Sequence, residues 1–144
     1  MKVLVDICIW SLALPRQTRQ LTSRDSLLKA ELTELVKEGR VGMIGPIRRE
    51  LLSGIRDQSQ YRKLRDVLRA FPDEPIKTTD YEIAASLHNQ RRIAHITGSA
   101  IAFVICAVAV GRRWQLFTSD GDFRHYAEAV PIPLSSLRAG SDSI

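Results

Sequence analysis

The feature that most constrains the fold of this chain is the alternation of short apolar stretches with longer segments of helical periodicity. The apolar stretches are too short to be helices, and they lie at 1–5, 41–44, 115–118 and 131–134. Between them, hydrophobic residues recur three and four positions apart, as in 23–37 and 61–71. Short buried strands separated by amphipathic helices are typical of a parallel sheet with helices on its faces. We therefore predict an α/β sandwich with a short central parallel sheet flanked by helices.

Prolines, glycines and capping residues place the ends of the predicted helices. A helix over 7–14 is expected to end at Pro15, and Gly45-Pro46 begins another that ends at Gly54. The segment Thr79-Asp80-Tyr81-Glu82 has the spacing of a capping box and predicts a helix to about residue 92. Gly98-Ser99 is predicted to cap the next helix. A last helix is predicted over 122–129, before the apolar stretch at 131–134.

Length and composition are those of one ordinary globular domain, with 144 residues, 44% hydrophobic and 26% charged. No apolar run approaches the roughly 20 residues that span a bilayer, and Asp6 interrupts the apolar start without a signal-peptide cleavage site. Cys8 and Cys106 lack the spacing of a zinc site, so we expect reduced thiols in a cytoplasmic protein. The expected organisation is a single domain over 1–138 with a small, polar, disordered tail over 139–144.

The positive charge of the chain is concentrated in one segment. The net charge is +5, and residues 41–72 contain seven Lys or Arg against three Asp or Glu. Such a stretch is often only the solvated face of a helix. It also suits a polyanionic partner, because contacts with phosphates dominate the affinity of proteins for nucleic acids.

Two acids follow predicted strands directly. Asp6 comes after the first strand and Asp120 after Leu116-Phe117-Thr118. Functional sites of parallel α/β sheets form at the carboxyl ends of the strands, although a single acid there can equally be a helix cap.

A receiver domain also has acids at these ends, but Asp6 has no acidic neighbour and no Lys follows the strand at Gln115. A haloacid-type phosphatase requires a second Asp where Cys8 stands.

Four segments, in this order and spacing, resemble PIN domains, and VapC toxins in particular, over nearly the whole chain. They are Val3-Leu4-Val5-Asp6-Ile7-Cys8-Ile9-Trp10, Gly45-Pro46-Ile47-Arg48-Arg49-Glu50-Leu51-Leu52-Ser53-Gly54, Thr97-Gly98-Ser99-Ala100-Ile101-Ala102-Phe103-Val104-Ile105-Cys106-Ala107 and Leu116-Phe117-Thr118-Ser119-Asp120-Gly121-Asp122-Phe123. The resemblance implies a PIN-like α/β/α sandwich and an endoribonuclease that hydrolyses RNA phosphodiester bonds with Mg²⁺ or Mn²⁺. Carboxylate oxygens suit these hard cations, which activate water and neutralise charge on the phosphate.

The resemblance also assigns roles to individual residues. It implies that Asp6 and Glu50 are metal ligands and that Asp120 is a ligand, either directly or through water. Asp122 either assists them or caps the helix that follows. The hydroxyls of Thr118 and Ser119 are expected to orient Asp120 or a water molecule. Trp10 is expected in the core or in a groove wall.

Two departures from the family pattern border this predicted metal site. Ala102 stands where the resemblance implies a third acid near the start of a helix, and Ile7 stands where Thr or Ser is usual. We place Ala102 on a small-residue face shared with Cys106 and Ala109, turned toward the cleft. The core stripe of that helix is expected to be Ile101, Val104, Ile105 and Val108. Reduced or absent activity is therefore expected for this sequence.

A VapB-like antitoxin, an RNA substrate and a second copy of the chain are the partners that the resemblance implies. Candidate elements of an antitoxin groove are Leu12, Leu14 and the segment 48–71, which could also be core or solvated face. The alternative function is that of a catalytically inactive PIN domain that still binds its antitoxin or RNA.

Overall fold

A computed structural model describes residues 1–14, 20–90 and 100–138, without the side chain of Ala129. Three of the predictions lie outside these described residues. They are the helix end at Pro15, the helix cap at Gly98-Ser99 and the disordered tail over 139–144.

The described residues form three strands and seven helices, with two helices between the first and second strands and four between the second and third. The strands are β1 (Val3–Val5), β2 (Val41–Gly42) and β3 (Gln115–Phe117). The helices are α1 (Ile7–Leu12), α2 (Ser23–Lys37), α3 (Gly45–Leu52), α4 (Gln58–Leu68), α5 (Thr78–Asn89), α6 (Ala100–Arg112) and α7 (Asp122–Ala129).

The three strands form one parallel sheet in the order β2-β1-β3. Val3 pairs with Val41 on one side of β1, and Leu4 and Val5 pair with Leu116 and Phe117 on the other. Every residue of β1 is fully buried, because helices cover the central strand. The α/β sandwich with a short parallel sheet is confirmed. All three strands therefore end at the same edge of the sheet.

The predicted fourth strand at 131–134 is wrong. This segment makes a single bridge between Leu134 and Leu116, fixed by hydrogen bonds from Leu116 N to Pro133 O and from Ser135 N to Leu116 O. Pro131 and Pro133 have no backbone N–H and cannot donate to a strand ladder, which explains why a strand does not form here.

Two helix faces also differ from the prediction. The hydrophobic recurrence in 23–37 and 61–71 includes Val36 and Val67 and predicts that they face the core, yet they are 40% and 60% exposed. In each case the neighbouring residue, Leu35 or Leu68, is buried instead. Adjacent positions on a helix point about 100° apart, so one narrow contact cannot bury both.

An ion pair between buried Asp80 and partly buried Arg112 joins α5 to α6. Arg112 donates to both carboxylate oxygens of Asp80, with Nη2 to Oδ2 at 2.8 Å, and also contacts Glu74 at 3.4 Å. The backbone N of Lys77 donates to the same carboxylate at 2.7 Å. The predicted capping box is therefore wrong in detail: α5 begins at Thr78 and the carboxylate that caps it belongs to Asp80.

Candidate functional site

Asp6 lies at the carboxyl end of the central strand and begins α1. Its Oδ1 accepts a hydrogen bond from the backbone N of Ile7 at 2.8 Å. Its own backbone N donates to Phe117 O on β3 at 2.9 Å. The carboxylate is 6% exposed. Asp6 is therefore held between β3 and the start of α1, and it does act as the helix cap considered above.

Thr118 connects the loop after β3 to Asp6. Its Oγ1 donates to Asp6 Oδ2 at 2.8 Å and accepts from the backbone N of Asp120 at 3.0 Å. The sequence prediction of an orienting hydroxyl at this position agrees with these contacts. Ser119 takes part through its backbone, because its N donates to Cys8 Sγ at 3.3 Å.

Asp120 is exposed and its direction is set by α7. Its Oδ1 accepts from the backbone N of Asp122 at 3.0 Å. Asp122 is the first residue of α7, after the cap residue Gly121, and it orients Asp120 through the main chain. Two roles were considered for Asp122. The structure does not show its side chain capping a helix.

A cavity of about 270 Å³ lies between these loops and α6. Asp6 and Asp120 line it, and so does Ala102, which is 8% exposed. Its other walls are Ile7, Cys8, Ile101, Ile105 and Phe123. We call it the acidic cavity. The position at which the resemblance implies a third acid thus faces the two strand-end acids.

The packing of α6 differs from the expected division into a core stripe and a cleft face. Cys106 and Ala109 are fully buried, whereas Ile101 and Val104 are only half-buried. Ile101 and Ile105 line the acidic cavity together with Ala102. In a helix as apolar as this one, periodicity does not separate the covered face from the cavity face.

Glu50 does not line the acidic cavity. It lies on α3 in a neighbouring cavity of about 350 Å³, with Ala100 and Val104 opposite, and forms an ion pair with Arg49 at 3.3 Å. Ile101 lines both cavities. The structure thus brings together Asp6, Asp120 and Ala102, and places Glu50 next to them.

The donor atoms of the acidic cavity suit a hard cation, but they are few. The carboxylates of Asp6 and Asp120 supply oxygen, and Mg²⁺ is commonly held by one or two carboxylates with retained waters. Within 1–14, 20–90 and 100–138, no group of three His, Cys, Asp or Glu is arranged to hold a metal.

Burial raises the pKa of the Cys106 thiol to about 12, and the charge of Asp6 adds to this, so Cys106 stays protonated.

Several other candidate residues prove to be internal. Trp10 is buried and meets the ring of Phe71 edge-on at 5.3 Å, as expected for a core residue. Leu12 and Leu14 are buried as well, which favours the core interpretation over a groove. Arg48, from the basic stretch, donates to Asp73 and to Leu68 O, each at 2.9 Å, and to Phe71 O. It ties α3 to the end of α4.

Comparison with solved structures shows that the fold is PIN-like. FitAcB from Neisseria gonorrhoeae is similar with a TM-score of 0.70 and 17% identity, over 93% of this chain and 96% of that one. VapBC2 from Rickettsia felis, bound to a DNA fragment from its promoter, is similar with a TM-score of 0.71 and 14% identity, over 94% and 98%. Both structures contain PIN-domain proteins.

At these identities the likeness establishes the fold alone. No protein-family model matches the sequence, and no curated protein matches it significantly. In the part of the chain that the structure describes, no helix is both long and apolar enough to cross a membrane.

Proposed function

We propose that this protein is the toxin component of a VapBC-type toxin–antitoxin pair, built as a Mg²⁺- or Mn²⁺-dependent endoribonuclease and neutralised by a VapB-like antitoxin. In this sequence the activity is reduced or absent, because Ala102 takes the place of an acid. The proposal includes cytoplasmic action and a homodimer. The PIN-like fold and the similarity to FitAcB and VapBC2 support the toxin–antitoxin class.

One observation carries the proposal: Asp6, Asp120 and Ala102 line one cavity at the carboxyl edge of the sheet. In this proposal Asp6 and Asp120 hold the cation and Thr118 orients both. Glu50, in the neighbouring cavity, is the third proposed ligand, and Asp122 acts through its backbone contact with Asp120. The cation would supply charge neutralisation at the phosphodiester and an activated water molecule. With one carboxylate missing, the ligand set would hold the cation weakly.

The alternative is a catalytically inactive PIN domain that binds its antitoxin or RNA. It is favoured by the lack of a three-ligand group among the described residues. Both proposals expect the protein to bind its antitoxin or RNA. They differ on whether a complete set of acids would make the protein cleave RNA.

Cleavage of RNA by the unaltered protein tests the proposed class. We expect it to bind RNA and, with added Mn²⁺, to cleave it little faster than an Asp6→Asn variant does, because the ligand set is incomplete. Gel analysis of labelled RNA with Mn²⁺ and with EDTA gives both rates. Full activity would show that the site does not require a third acid, and an absence of RNA binding would contradict the proposed substrate.

Replacing Thr118 by Val tests how the site is held. The hydroxyl that bridges Asp6 Oδ2 and Asp120 N disappears, while the shape of the side chain is kept. Loss of such outer contacts lowers metal affinity by about 10–100-fold. We expect a decrease of this size in Mn²⁺ affinity, measured by calorimetry in an Ala102→Asp background. Thr118→Ser keeps the hydroxyl and is the control; equal affinities for the Val and Ser variants would contradict the role.

A further inference from the structure

A second cavity, of about 560 Å³, lies on the other side of Asp120 from the acidic cavity. Arg24, in the first turn of α2, and Arg124, in the first turn of α7, both line it. We call it the arginine cavity. It is made from segments far apart in the chain, since the loop after β3 and residues 134–137 form its remaining walls.

The two arginines are exposed, and neither guanidinium group has an ion-pair or hydrogen-bond partner among the described residues. Other arginines of this chain are engaged by the protein itself. Arg48 is paired with Asp73, and Arg112 with Asp80. Arg24 and Arg124 therefore add to the lining of one concave site two guanidinium groups that no described residue engages.

The lining of the arginine cavity suits a nucleotide phosphate. Guanidinium groups bind phosphate through paired, charge-assisted hydrogen bonds, and the hydroxyls of Ser119, Ser135 and Ser136 are further donors on the walls. Among the described residues that line it, Asp120 is the only acid. Leu28, Phe117 and Leu134 give the cavity apolar surface, and its volume lies within the range of about 300–1,000 Å³ typical of small-molecule sites.

Asp120 lines both cavities, so the two are neighbours that share its side chain. A strand whose phosphodiester lies at the acidic cavity would run past Asp120 and bring its next nucleotide between Arg24 and Arg124. We propose that the arginine cavity binds a neighbouring nucleotide, through its phosphate, of the single-stranded RNA that is cleaved at the acidic cavity. This inference rests on the proposed function and extends it, because a cavity of this size admits one splayed nucleotide and not a duplex.

A charge-matched pair of double variants tests the proposal. Arg24→Gln/Arg124→Gln removes both guanidinium groups of the arginine cavity. Lys2→Gln/Arg113→Gln removes the same charge at the opposite edge of the sheet, where both residues are exposed next to the starts of β1 and β3. Fluorescence anisotropy with a short labelled single-stranded RNA, in EDTA and over a range of salt, measures affinity without cleavage.

We expect the arginine-cavity variant to bind RNA about tenfold more weakly. The slope of log affinity against log salt should become shallower by about 0.7, since the two arginines share one phosphate and each phosphate contact on a single strand contributes about 0.7. The Lys2/Arg113 variant should keep the slope of the parent protein. Equal losses and equal slopes in the two variants would overturn this inference alone, because RNA binding would then follow net charge. A parent protein without affinity for RNA would overturn the proposed function as well.

Discussion

Replacing Ala102 by Asp is expected to turn a chain that cleaves RNA poorly into a metal-dependent ribonuclease. Ala102 lines the same cavity as Asp6 and Asp120, and that cavity of about 270 Å³ has room for a carboxylate. A third acid completes the ligand set and positions the cation and its water. Misplacement of reacting groups by about 1 Å costs on the order of 100-fold in rate, so a gain of at least this size is expected.

The same substitution should change how the fold responds to metal. Three carboxylates around one small cavity repel each other when no cation is present. The Ala102→Asp protein should therefore be less stable than its parent in EDTA. It should gain much more thermal stability when Mn²⁺ is added, because a ligand that binds only the folded state stabilises it.

Two control variants separate this explanation from simpler ones. Ala102→Asn has nearly the same size and polarity without the charge, and it should bind Mn²⁺ weakly. Ala85→Asp puts a carboxylate at an exposed position on α5, and Ala85 lines neither the acidic cavity nor the cavity of Glu50. Cleavage rates with Mn²⁺ and with EDTA, together with calorimetry, compare all four proteins. A folded Ala102→Asp protein with neither Mn²⁺ binding nor added cleavage would show that residue 102 is not the missing ligand.

The parts of the site that follow from strand order could be predicted from the sequence. Asp6 and Asp120 each come just after a short apolar strand, and parallel strands end at one edge, so their proximity needs no knowledge of side-chain packing. The placement of Ala102 came from the resemblance, and the structure puts it on the same cavity. The periodicity argument for it was weaker, because both faces of α6 are largely buried.

The position of Glu50 relative to the other acids could not be read from the sequence. It depends on how α3 packs beside α6, which places Glu50 in a separate cavity that shares Ile101 with the cavity of Asp6. The arginine cavity was missed for a similar reason. Arg24 and Arg124 are 100 positions apart in the numbering, and no local pattern connects them. The basic stretch at 41–72 does stand out in the sequence, but its Arg48 makes contacts within the protein.

Replacing Asp80 by Ala is expected to destabilise the protein more than any other single substitution considered above. The change leaves Arg112, whose side chain is 14% exposed, without its principal partner, and it removes the acceptor for Lys77 N at the start of α5. Removing one partner of a buried pair costs about 3–5 kcal/mol. The retained contacts of Arg112 with Glu74 and Pro75 O favour the lower end of that range. Since folded domains are stable by only about 5–15 kcal/mol, this is a large loss, and it loosens α6, the helix that carries Ala102.

The pH dependence of this loss distinguishes an ionic contribution from simple packing. The hydrogen bonds from Arg112, assisted by Lys77 N, hold the pKa of Asp80 below its usual value, against the opposing effect of burial. A lowered folded-state pKa means that the pair stabilises the protein above the unfolded Asp pKa of about 3.9, and that this is lost as pH falls through the folded value. Urea denaturation should therefore show the largest difference between the parent and Asp80→Ala near neutral pH, and a smaller one in acid. Asp66→Ala, which removes an exposed partner of Arg65 and Arg69, should change stability by no more than about 0.5 kcal/mol. A deficit for Asp80→Ala that stayed constant down to strongly acidic pH would mean that the carboxylate contributes through its shape and not through its charge.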